Sequence, residues 1–192
     1  LQATGQITID AMAGKVINLA TASGNSFSLT STESGGITFV DPQTEIRTQG
    51  GSIYLTATGG TLSNIGKLTS NGGDIGLYAD GDITLANRID GGAGYVSIQS
   101  GGGSITTVNP AAPVAGNYLY LTAAGSIGHG GASLATSTTQ LVAQSGGDIV
   151  IANDQVLTDL EIVNSHAAPG VANMLSIDSP SLTFAASDDG SR

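Results

Sequence analysis

From Gly51 onward the chain repeats a short phrase in which a glycine and a polar residue precede two apolar residues with one residue between them. It reads Gly51-Ser52-Ile53-Tyr54-Leu55, Gly73-Asp74-Ile75-Gly76-Leu77 and Gly94-Tyr95-Val96-Ser97-Ile98, then Asn117-Tyr118-Leu119-Tyr120-Leu121 with asparagine in the glycine place. Thr139-Gln140-Leu141-Val142-Ala143 is a looser fifth copy. The first apolar positions, 53, 75, 96, 119 and 141, step by 22, 21, 23 and 22 residues. A second series, Leu62, Ile83, Ile105, Ile127 and Ile149, steps by 21, 22, 22 and 22, and Gly60, Gly81, Gly103, Gly125 and Gly147 stand two residues before its members. A weaker third series, Leu68, Ile89, Leu134 and Val156, trails the second by 6, 6, 7 and 7 residues. In the middle copy the segment Asn109-Pro110-Ala111-Ala112-Pro113 displaces the third strand and reads as a loop bulging from one corner.

Apolar residues alternating with period two signal strands, and none of these phrases has the three-to-four spacing of an amphipathic helix. A strand this short cannot bury its apolar face alone, but coils stacked in register give it parallel partners and a continuous interior. The expected fold is therefore all-β, a parallel β-helix (solenoid) with about 22 residues and three short strands per coil. Ala57, Ala79, Ser100, Ala123 and Ser145 align after the first strand, as expected of small residues where the interior narrows. The glycines before the second strand are expected to supply a positive φ at a tight corner. Three regions follow: irregular N-terminal coils over 1–49, regular coils over 50–157, and an irregular C-terminal coil with a polar tail over 158–192. Uncapped parallel coils expose sheet edges that invite pairing, so the natural object is expected to continue covalently or to associate end to end.

Composition narrows the partners. Hydrophobic residues are 40% of the chain but aromatics only 4%, so the core must be built from Ile, Leu, Val and Ala. Charged residues are only 10%, with a net charge of −10, which speaks against nucleic acid or an anionic membrane as partner. The chain has no cysteine, which removes thiolate chemistry and disulfide staples. Its first residues show no Met, basic stretch or apolar stretch, and read as a processed or excised start.

The run Gly72-Gly73-Asp74-Ile75-Gly76-Leu77-Tyr78-Ala79-Asp80-Gly81-Asp82-Ile83-Thr84-Leu85-Ala86 resembles the β-helical repeats of filamentous-haemagglutinin-like exoproteins, as do residues 50–57 and 146–152. The resemblance covers roughly 50–157 and is one of period and composition. It implies a right-handed β-helix, secreted to the bacterial cell surface by two-partner secretion through an outer-membrane partner, and serving as an adhesin shaft, stalk or matrix fibre. The secretion domain of that family carries Asn-Pro-rich motifs; here Asn109-Pro110 is the one Asn-Pro pair, so this segment is not expected to be the export signal.

Candidate chemistry is sparse, and no catalytic residue, cofactor or metal ligand is assigned; the chain reads as a non-enzyme. Asp74, Asp82 and Asp148 precede strands, but Ser52, Ser104 and Ser126 take the equivalent places in other coils, so a stacked calcium ladder gives way to solvated corner residues. A carbohydrate-active groove would need paired acids, yet Glu33 and Glu45 have no apparent charged neighbour in the repeat alignment, and Glu161 is isolated. His129 and His166 lie on loop-like segments without an evident carboxylate partner. The remaining candidates are aromatic: Tyr54 and Tyr120 occupy the outward place between two core residues, and Tyr78, Tyr95 and Tyr118 are also expected to be exposed. Such a face could contact a glycan, a host surface or a neighbouring fibre, so the leading expectation is a self-associating extracellular shaft, with a glycan- or host-surface-binding adhesin module as the alternative and a carbohydrate-active enzyme behind both.

Overall fold

The computed structural model describes residues 2–4, 7–9, 16–18, 24–32, 34–129, 132–164 and 174–181. Among these the regular structure is entirely strand and bridge, without helix. The strands form three sheets, each paired in parallel. The first sheet stacks Phe27–Thr32, Ile53–Ala57, Ile75–Ala79, Tyr95–Ser100, Tyr118–Ala123, Gln140–Ser145 and Asp159–Asn164 in chain order, with Gln2–Thr4 before them. The second runs from Ile7–Ile9 through Ile37–Phe39, Leu62–Ile65 and Ile83–Leu85 to Ile105–Thr107. The third runs from Val16–Asn18 to Leu175–Asp178 and is eight strands deep. Each regular coil visits all three sheets in turn, with roughly 22 residues per turn, so the molecule is a parallel β-solenoid.

The register agrees with the periodic positions. Ile53, Ile75, Val96, Leu119 and Leu141 stand opposite one another in the first sheet, and all are at most 1% exposed. Leu62, Ile83 and Ile105 align in the second, and single bridges carry that column on through Ile127 to Ile149. The small residues Ser31, Ala57, Ala79, Ser100, Ala123 and Ser145 form one buried column. Burying a full aliphatic side chain is worth about 1.5–3 kcal/mol, and each coil repeats that gain in each sheet.

The glycines before the second strand act differently from the expectation. None of Gly60, Gly81, Gly103, Gly125 and Gly147 has a positive φ; that conformation falls on Gly24, Gly50, Gly59, Gly72, Gly92 and Gly128. What these five lack is room. A Cβ on Gly103 would lie 2.6 Å from the Asp82 nitrogen, and one on Gly125 would meet the Ser104 hydroxyl. After Gly81, Gly103, Gly125 and Gly147 the polar residue reaches across to the next coil and ties the two together at this close approach. Asp82 Oδ1 accepts from the Ser104 amide (2.8 Å), Ser104 Oγ from Ser126 (3.0 Å), Ser126 Oγ from Asp148 (3.0 Å) and Asp148 Oδ1 from Met174 (2.8 Å). A similar series before the first strand runs from Ser26 through Ser52 to Asp74, whose Oδ1 accepts from the Tyr95 amide at 3.0 Å. The Asp and Ser residues are thus interchangeable acceptors that tie coil to coil.

The third strand departs from its expected positions at the C-terminal side. Its inward column is Ile46, Leu68, Ile89, Val114, Thr136 and Asn153; Leu134 pairs with Ile151 two residues earlier, and Val156 is 47% exposed. Ile149–Asn153 runs as one strand whose start bridges Ile127 and whose end pairs with Leu134–Ser137, so the second and third strands merge. Asn153 fixes this arrangement. Its Oδ1 accepts from Thr136 Oγ1 (2.9 Å) and the Thr138 amide (3.1 Å), and its Nδ2 donates to the Thr138 and Gln155 carbonyls. A buried amide with both ends satisfied replaces the aliphatic contact at that level. The 109–113 insertion does precede the displaced strand, Val114–Ala115, as expected.

Candidate functional site

All five tyrosines of the chain stand on the outer surface of the first sheet, in four successive coils. Strand alternation puts them there, because Ile53, Leu55, Ile75, Leu77, Val96, Ile98, Leu119 and Leu121 claim the inward places. Tyr54, Tyr78 and Tyr95 are 43%, 38% and 39% exposed. Tyr118 and Tyr120 are half-buried, more enclosed than expected. Tyr118 lies under a neighbour: its ring stacks on that of Tyr95 with centroids 5.1 Å apart and planes 14° from parallel. Burial, followed by the nearby Tyr118, Tyr120 and Asp74, pushes the Tyr95 phenol above its usual value.

The register sets the rest of the surface. Tyr54, Gly76, Ser97 and Tyr120 share one outward column; Thr56, Tyr78, Gln99 and Thr122 share the next. Gly76 leaves a depression of about 310 Å³ bounded by Tyr54, Tyr78, Tyr95, Asp74, Ser97 and Gln99. Tyr78 is held at its rim, where its hydroxyl donates to Asp80 Oδ1 at 2.6 Å. That bond raises the phenol and lowers the carboxyl, which also accepts from the Gly59 amide. Tyr54, Tyr78 and Tyr95 are therefore brought together around one hollow, and Tyr120 lies a coil beyond it.

A second cluster occupies the third sheet. The basic residues among those described are Arg47, Lys67 and Arg88, in three successive coils. Contrary to the expectation that Glu45 lacks charged neighbours, Arg47 grips it through both carboxylate oxygens at 2.9 Å, Thr69 donates to it at 2.8 Å, and Lys67 lies 3.4 Å away. Burial pushes the Glu45 carboxyl up, but the hydrogen bonds from Thr69 and Arg47 and the charges of Lys67 and Arg47 outweigh it, leaving the group below its usual range. A carboxyl so held is a poor general acid, which needs its proton near neutral pH. Parallel register places Lys67 directly opposite Glu45, a contact that spacing alone leaves open because the third-sheet register is weakly marked. Arg88 pairs with Asp90 at 3.0 Å. His129 also has a carboxylate where none was evident, its Nδ1 lying 3.5 Å from Asp148 Oδ2. Glu33 and His166 lie outside the described residues. Among the described residues no three His, Asp or Glu gather closely enough to hold a metal ion.

The fold defines the class, a parallel β-solenoid repeat protein. No family model matches the chain, and no curated protein or solved structure matches it.

Proposed function

We propose that this chain is a length of an extracellular shaft, part of a bacterial surface fibre or adhesin, whose work is reach, stiffness and association and not catalysis. The observation that supports this best is the unbroken parallel stacking of the first sheet, in which positions 27, 53, 75, 96, 119, 141 and 160 face one another. A load along the stack is carried by many main-chain hydrogen bonds, reinforced by the Asp and Ser rungs, around a mainly aliphatic interior. The filamentous-haemagglutinin-like character of residues 50–157 points the same way, and with it come secretion through an outer-membrane partner and a place at the cell surface. Electron microscopy over a range of concentrations tests the reading. Filaments or laterally aligned rods are expected; short single particles at every concentration would count against a self-associating shaft.

A second reading has its own support, because the tyrosines gather on one face instead of being scattered. The shaft then carries a contact surface for a glycan or a host surface. A glycan array probed with wild type and with a Tyr54/Tyr120 double substitution to alanine separates this from a passive shaft, which would retain no glycan in either form.

A further inference from the structure

We propose that the hollow centred on Gly76 binds an uncharged pyranose ring of a glycan; this rests on the second reading above, contact through the tyrosine face. Three coils contribute a grid of outward positions: Ser52, Tyr54 and Thr56; Asp74, Gly76 and Tyr78; Tyr95, Ser97 and Gln99. The centre of the grid has no side chain. Glycine inside a strand weakens it and marks a bulge, a bend or a close approach of a ligand or another backbone. There is no bulge here, since Ile75–Ala79 pairs residue for residue with both neighbours. No backbone crowds the position either: a Cβ on Gly76 would meet only the Tyr54 ring, 2.6 Å from Cδ1. The Tyr54 ring packs over Gly76 and forms one wall of the hollow, whose other aromatic walls are Tyr78 and Tyr95.

The chemistry of the rim selects the occupant. Exposed tyrosine rings offer negative π faces to the C–H face of a sugar ring. Hydroxyls around a sugar need both donors and acceptors, and the rim provides the Asp74 carboxylate, the Ser97 hydroxyl and the Gln99 amide. Gln99 Nε2 donates to Ser97 Oγ at 2.8 Å, which presents the two as a fixed pair. The volume of about 310 Å³ sits at the lower end of small-molecule sites, which run from about 300 to 1,000 Å³. Charge excludes acidic sugars. Asp74 lines the hollow and Asp80 accepts from Tyr78 at its rim, the chain carries −10, and Arg47, Lys67 and Arg88 are engaged on a different sheet. Like charge around an open cleft repels uronates and sulfated glycans.

The test titrates the whole chain with neutral hexa-oligosaccharides of glucose, galactose, mannose and N-acetylglucosamine, and with heparin as the sulfated probe. Tyrosine fluorescence and amide NMR shifts report binding. Saturable binding of at least one neutral oligosaccharide is expected, with shifts at Gly76, Ser97 and Gln99. Gly76→Val, whose side chain would push the Tyr54 ring out of place, and Tyr54→Ala should each weaken it more than about tenfold, while Tyr54→Phe and Tyr120→Ser should retain it; circular dichroism melts confirm that each variant is folded. Binding of heparin alone, no neutral binding, or neutral binding indifferent to Gly76→Val would overturn the proposal. Shifts that follow protein concentration without sugar would assign the face to a second copy of the chain instead. Any of these leaves the shaft reading to be judged separately by microscopy.

Discussion

At Gly103 a single missing methyl group sets how closely two coils can stack. Gly103→Ala should lower stability by about 1–3 kcal/mol, the usual cost of overpacking, because its Cβ would press on the backbone of Asp82. Gly50→Ala should cost less, about 1 kcal/mol from its positive φ alone, since nothing lies within 4 Å of the added carbon. Thermal melts of the two variants compare crowding with backbone strain. Glu45 gives a pH prediction. Its folded carboxyl titrates below its unfolded value, so the stability it contributes is present above the unfolded value and disappears as pH falls through the folded one. The melting-temperature gap between wild type and Glu45→Gln should therefore close on acidification below the ordinary glutamate range. Sequence spacing identified which glycines recur, but not why, because crowding belongs to a neighbour about 22 residues away.

At the scale of the strand, the inward residues and the rung before them act as a unit. The aliphatic columns bury each strand, and the Asp or Ser rung satisfies an amide where the coil turns. Ser126→Ala should cost about 1 kcal/mol, the usual net worth of one hydrogen bond, by leaving the Asp148 amide without its partner at the half-buried corner. Ile83→Ala, fully buried, should cost about 2–5 kcal/mol. Denaturant unfolding measures both. The first and second strands were legible because Ile53 to Leu141 and Leu62 to Ile149 recur at nearly fixed spacing. The third was misplaced at Leu134 and Val156 because its column becomes polar there. Thr136 and Asn153 face inward, and a search for apolar residues passes over them.

As a whole the molecule is a stack in which each coil touches chiefly the coils on either side. Its stability is then close to a sum over coils and their interfaces. Amide hydrogen exchange should find the greatest protection in Ile75–Ala79, Tyr95–Ser100 and Tyr118–Ala123, and earlier opening in Gln2–Thr4 and Asp159–Asn164 at the ends of the sheet. Uniform protection along the stack would contradict this. The tyrosine face belongs to the same scale. That Tyr54 and Tyr120 point outward was legible from strand alternation. That Tyr54, Tyr78 and Tyr95 share one hollow over Gly76 depends on which residues stand opposite across coils. The sequence by itself determined the repeat length, the strand type and the inward columns of the first and second strands, because period and alternation are local properties of the chain. Only the tertiary structure decided the crowding at Gly103, the grip of Arg47, Lys67 and Thr69 on Glu45, the polar end of the third column and the hollow at Gly76. Each of these is a contact between coils, fixed by register and by how near one backbone comes to the next.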